Sequence, residues 1–167
     1  VFVHDFVHID RPFPVVLEAF ANRVAPLLGG LVLQAWAADV DAWARLGVAR
    51  RDIVPSGPVP ILLGPSRRRG DAVIFPLSWP WTSARWFPEL DADLEIARLD
   101  LTRTDLQLMG RHRFPPSVER WSAEESAANR ITVAAVRRFL ELVAADVTRK
   151  CLPLPLGGDS EVSVHLH

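Results

Sequence analysis

The sequence predicts an α+β fold, an antiparallel sheet packed against one long C-terminal helix. Two observations carry this. Between Val73 and Phe114, three successive segments alternate apolar and polar residues with a period of two, separated by short turn-like breaks. That is the pattern of an antiparallel meander with one wet face. From Ser122 to Val147 the period changes, and Val136, Phe139, Leu140, Val143 and Val147 recur at helical spacing, with Arg137, Arg138 and Glu141 facing away.

Each element can be justified in order. Val1 to Ile9 alternates Val1, Val3, Asp5, Val7 and Ile9 against Phe2, His4, Phe6 and His8, which predicts a first strand. Asp10, Pro12 and Pro14 end it, and Pro14 suits a first helical turn, where no backbone donor is needed. Val16, Phe20, Val24 and Leu27 predict a helix that stops at Gly29-Gly30. Leu33, Trp36, Val40 and Trp43 predict a second one before Gly47. Two short helices therefore separate the first strand from the second. Arg50–Val54 and Val59–Leu63 read as short strands, irregular or at an edge because Pro55, Pro58 and Pro60 each lack a ladder donor. The stretch "GPSRRRGD" reads as a turn.

In the meander, Val73, Phe75, Leu77, Trp79 and Trp81 share one parity. Leu90, Ala92, Leu94 and Ile96 form the next apolar set, opposite the acidic comb Glu89, Asp91, Asp93 and Glu95. Leu106, Leu108, Gly110, His112 and Phe114 form the third, so a hairpin centred near Leu101 sets Asp91 against Arg111 and Glu89 against Arg113. Ser122 with Glu125 fits a capping box at the start of the long helix. After a proline-rich break, "SEVSVHLH" alternates like one more strand.

Composition excludes several functions. Nearly half the residues are apolar and the net charge is −1, which argues against disorder and against non-specific nucleic-acid binding. The single cysteine, Cys151, excludes an internal disulfide framework and a cysteine-based zinc site, and fits a reducing, cytoplasmic location. No uninterrupted apolar run approaches the ~18 residues of a membrane span, and no signal-peptide pattern opens the chain. His4 and His8 lie about 13 Å apart on a strand, too far to share one metal ion, so no metal or other cofactor is expected. There is no nucleophile elbow, phosphate-binding loop or dinucleotide fingerprint.

The order of elements resembles the START-like, or SRPBCC, superfamily, the helix-grip fold of birch-pollen-allergen-like proteins and polyketide cyclases. The wording is closest to small actinobacterial members, in "VHIDRPFPVVLEAF", "RRRGDAVIFPLSWPW", "LDADLEIARLDLTRTDLQLMGRHRFPP" and "VAAVRRFLELVA". The resemblance covers residues 1–149 and leaves 150–167 as a tail that could add an edge strand. It implies that the curved sheet grips the long helix around an apolar cavity. The chain departs from the family pattern in showing six strand segments rather than seven.

Three functional readings follow. The first is non-catalytic binding of a small apolar molecule, a lipid or polyketide-like ligand, lined by Phe75, Leu77, Trp79, Trp81, Trp86, Leu94, Leu108, His112, Val136, Leu140 and Val143. On this reading the tryptophans share the concave face and either line or plug the cavity. The second is an enzyme of the cyclase, aromatase or hydratase type, with His112 as its one weak catalytic candidate. The third is a cavity-free interaction module that forms a homodimer through the tail or a sheet edge. The acidic comb lies on the solvated parity and is not expected to carry chemistry.

Overall fold

The computed structural model describes residues 1–116, 118 and 122–151, with only the backbone of 122–124. Strand β1 (Phe2–Ile9) is followed by α1 (Phe13–Ala19), a π turn (Phe20–Val24), a 3-10 turn (Ala25–Leu27) and α2 (Leu28–Ala37). Two short helices come next, α3 (Val40–Ala44) and α4 (Arg50–Ile53). Strands β2 (Leu62–Leu63) and β3 (Arg67–Arg69) precede the meander β4 (Ala72–Trp79), β5 (Glu89–Arg98) and β6 (Thr104–Arg113), and α5 (Ser122–Lys150) closes the described chain.

The six strands form one antiparallel sheet in the order β1-β6-β5-β4-β2, with β3 also paired to β4. Helix α5, roughly 44 Å long at 1.5 Å per residue, packs on β1 and β6 and against α1 and α2. This is the helix-grip arrangement. The β5–β6 register pairs Glu89 with Arg113 and Asp91 with Arg111, as the alternation predicts. Gly110 faces Ala92 in that register, and a Cβ at Gly110 would stand 2.3 Å from the Asp91 carbonyl oxygen. Only glycine allows the two backbones this close, and such an approach bends a sheet.

Four expectations are corrected. Gly29-Gly30 does not stop a helix, because the chain stays helical from Phe13 to Ala37. Gly29 is needed instead for a close pass: Val59 N–H donates to the Gly29 carbonyl at 3.3 Å, and a Cβ on Gly29 would meet the Val59 carbonyl at 2.3 Å. Arg50–Ile53 is helical rather than extended, and only Leu62–Leu63 of the second candidate strand joins the sheet. The arginine turn is itself strand β3, with its reversal at Gly70, whose φ is +58°. Finally, the continuous segment Phe13–Ala37 is, by length and composition, apolar enough to cross a bilayer. It was missed because Glu18, Asn22 and Arg23 interrupt the apolar run; here Val16, Phe20, Val24, Leu28, Val32 and Trp36 are buried in the core. The Ser122 side chain of the expected capping box and the tail strand after Cys151 lie outside the described residues.

Candidate functional site

The space between sheet and α5 is filled by the chain's own side chains. Trp79 meets Trp36 edge-on at 5.8 Å and Phe139 edge-on at 5.7 Å, and Trp36 meets Phe87 at 5.2 Å. The Trp79 indole N–H donates to the Pro88 carbonyl at 3.0 Å, so its one polar group is satisfied within the core. Leu94, Leu108, Val136, Leu140 and Val143 have no accessible surface. A void large enough for one water would leave such surface on the side chains that bound it. Leu77 is as deeply buried, and Phe75 packs edge-on against Phe20 at 5.0 Å. Of the expected lining residues, Trp79 is buried among these side chains, 2% exposed.

The three tryptophans do not share one face. Trp81 lies at the surface, where its indole N–H donates to the Arg113 carbonyl at 3.0 Å and its ring stacks under the Arg113 guanidinium at 5.3 Å. Trp86 belongs to a second, smaller cluster with Trp43 at 5.9 Å and Phe114 at 6.0 Å. The separation has a local cause. Strand β4 ends at Trp79, so the alternation that would carry Trp81 inward stops there, and the 80–88 connection places Trp81 and Trp86 independently.

His112 is the inward residue that does reach a cleft. It sits on the buried parity of β6, 1% exposed, and its ring meets Phe114 edge-on at 5.8 Å. Nε2 lies 2.9 Å from Oδ1 of Asn129 on α5. A proton on Nε2, donated to this oxygen, would leave Nδ1 as the acceptor of the ring. Nδ1 is buried and has no partner among the described residues. Burial also holds the imidazole pKa below its ordinary value, against the opposing effect of the Asn129 hydrogen bond. The shift favours the neutral imidazole.

His112 borders a cleft of about 240 Å³, together with Phe114, Val118, Glu125 and Asn129. A second depression of about 350 Å³ adjoins it, bounded by Glu89, Asp91 and Arg111, and both share Val1, His112 and Arg113. Arg113 is held by Glu89, whose Oε1 accepts from its Nε at 2.7 Å, so this cation is largely compensated. Asp5 lies on the helix side of β1 but is paired to Arg137 at 2.5 Å. Burial pushes the Cys151 thiol up, which leaves it a poor nucleophile. Among the described residues no three His, Cys, Asp or Glu side chains come together as a metal site requires.

Sequence reasoning missed Asn129. Its signal was present: Asn129 and Thr132 continue the buried stripe of Val136, Phe139 and Val143 towards the start of α5, and polar residues on an apolar stripe mark a place where the helix faces something other than core. Glu125, one turn before Asn129, shares that face.

No family model matches the chain, and no curated protein matches it. Among solved structures it is similar to an aromatase/cyclase from a Streptomyces species, at 14% identity and a TM-score of 0.37 over 89% of this chain and 94% of that one. It is also similar to a protein from Thermus thermophilus, at 8% identity and 0.43 over 89% and 98%. A di-domain aromatase/cyclase matches at 16% identity and 0.34, over 86% of this chain and 47% of that one. The fold assignment rests on the strand order and helix packing described above.

Proposed function

We propose that this chain binds a small molecule in the His112 cleft at the open end of the sheet, by donation of a ligand hydrogen bond to His112 Nδ1. The observation that carries this reading is the orphaned nitrogen itself. A buried acceptor without a donor costs about 1–3 kcal/mol, and a ligand hydroxyl or acidic C–H that reaches it recovers that cost. Phe114 and Val118 supply an apolar wall, so the fitting ligand has an apolar edge and one donor, as a phenol or enol does. The test is ¹⁵N NMR of the imidazole during titration with phenols. Binding moves the Nδ1 resonance of His112 and leaves that of Nε2 nearly in place. If neither moves while a phenol binds, the site lies elsewhere.

One observation favours a second reading, proton-transfer chemistry of the cyclase or hydratase kind. A neutral imidazole with a free lone pair, and its other nitrogen fixed by Asn129, is arranged as a general base. In this reading Nδ1 takes a proton from a carbon acidified by an adjacent carbonyl, and Glu125 is the second proton-carrying group on the cleft wall. Deuterium exchange into a 1,3-dicarbonyl probe tests it. Exchange lost in His112→Asn, with the fold intact, supports catalysis; equal exchange in both proteins removes it.

A further inference from the structure

A separate groove of about 800 Å³, sharing no lining residue with the His112 cleft, runs between α2 and the α4 segment. Its apolar surface comes from Leu33, Ala37, Val54 and Pro55. Gly30 lies one turn before Leu33 on the same wall, and a Cβ there would meet nothing within 4 Å. Absence of a side chain at 30 thus keeps that end of the groove open. Arg50 and Arg51 stand on the rim, both exposed, and neither has a carboxylate within ion-pair distance among the described residues. No Asp or Glu lines the groove. Arg67, Arg69, Arg113 and Arg137 are matched by Asp93, Glu95, Glu89 and Asp5, whereas Arg68, Arg98 and Arg111 on the strands, like Arg50 and Arg51, have no ion-pair partner among the described residues. What sets this region apart is that two such guanidiniums stand together beside one apolar trough whose lining holds no carboxylate.

We infer that this groove is a second ligand site, independent of the His112 cleft, which takes a free amphipathic anion. The apolar chain of the ligand lies along Gly30, Leu33 and Ala37, and its carboxylate or phosphate is gripped by Arg50 and Arg51. Guanidiniums suit this role because their planar donors match the oxygens of such head groups. The chain is held by apolar burial and the head by charge, so neither half alone gives full affinity.

Calorimetric titration of the full chain with sodium decanoate, decanol and decyltrimethylammonium tests the inference. Decanoate binds; decanol binds at least tenfold more weakly, and the cation shows no binding. Arg50→Gln/Arg51→Gln lowers decanoate affinity about tenfold or more without changing that for decanol, since charge screening and distance limit each contact to a modest share. Gly30→Leu, which removes a helix-weakening glycine and whose Cβ meets nothing within 4 Å, abolishes binding of both while circular dichroism is unchanged. His112→Gln binds decanoate as the parent does. Equal affinity for decanol and decanoate, or unchanged binding in Gly30→Leu, overturns the site. Binding to phosphatidylglycerol vesicles with none to free decanoate would also overturn it, by making the arginines a membrane contact rather than a small-molecule site.

Discussion

The two aromatic clusters of this protein differ in how completely they close. In the larger, Trp36, Trp79, Phe87 and Phe139 lie between the sheet and α5 with at most 2% of their surface exposed. In the smaller, at the open end, Trp43 and Phe114 are buried but Trp86 is only partly covered, and clefts flank it. Both contain orphaned polar atoms, the indole N–H of Trp36 in one and of Trp43 in the other. Among the described residues and clefts, His112 is the one that both carries an orphaned buried atom and borders a cleft. Here the described side chains between sheet and α5 are closely packed, and the clefts lie where the burial is less complete.

The largest expected effect tests the closed cluster. Trp79→Ala should destabilise the protein by about 3–5 kcal/mol in denaturant unfolding, because it removes a fully packed indole and leaves a cavity. Trp86→Ala should cost clearly less, about 1–2 kcal/mol, since less apolar surface is lost. Equal losses would erase the distinction between the clusters. Next is Gly110→Ala, whose new Cβ strikes the Asp91 carbonyl and the Ala92 backbone, at a cost of about 2–3 kcal/mol. Because Gly110 lies two residues before His112, its variant should also disturb the cleft, visible as a shifted His112 resonance.

A smaller effect separates the regions by pH. The pKa of His112 is lowered in the folded state, so the unfolded chain binds the extra proton first as pH falls below about 6.5. Stability is fully present above that pH and declines below it, by at most about 1.4 kcal/mol per pH unit from this one group. His112→Gln should flatten the difference between unfolding measured at pH 7 and pH 5. An unchanged slope would mean that the imidazole has the same pKa in the folded and unfolded states. The smallest effect is expected at the β5–β6 turn, far from both clusters. Asp100 accepts from the Thr102 and Arg103 backbone N–H groups and from the Arg103 side chain, which hold its pKa at about 2. Asp100→Asn should lower Tm by ~1–2 °C at neutral pH, and the difference should vanish as pH falls through about 2.

Much of the fold was legible because the strands of the meander are long and strictly alternating. Leu90, Ala92, Leu94 and Ile96 against Leu106, Leu108 and His112 fix which face is inward, and a one-residue slip would expose all of them. The carboxylates of the comb were correctly read as an outer face: Asp93 and Glu95 pair with Arg67 and Arg69. Legibility ended where local rules met tertiary contacts. Gly29 looks like a helix stop by propensity, yet it is a docking point for the Val59 backbone. Arg50–Ile53 is too short for either period to decide. In the candidate site, the inward direction of His112 followed from alternation, but Asn129 is 17 residues away on another element, and its pairing is a product of packing. The tryptophans were read as a group because they are close in sequence. They diverge because the strand that would have aligned them ends at Trp79.

The sheet order has a consequence for how the chain is made. Among the described residues, strand β1 pairs with β6 alone, with Ile9 beside Thr104 and Phe2 beside Arg111. During synthesis the β5–β6 hairpin can close as soon as it emerges, but β1 must wait about a hundred residues for a neighbour, which makes its docking a late and slow event. Until then Phe2, Phe6 and the apolar segment from Phe13 to Ala37 are without the surfaces that cover or flank them. Until β6 has been made, this segment is thus the part of the described chain most open to self-association.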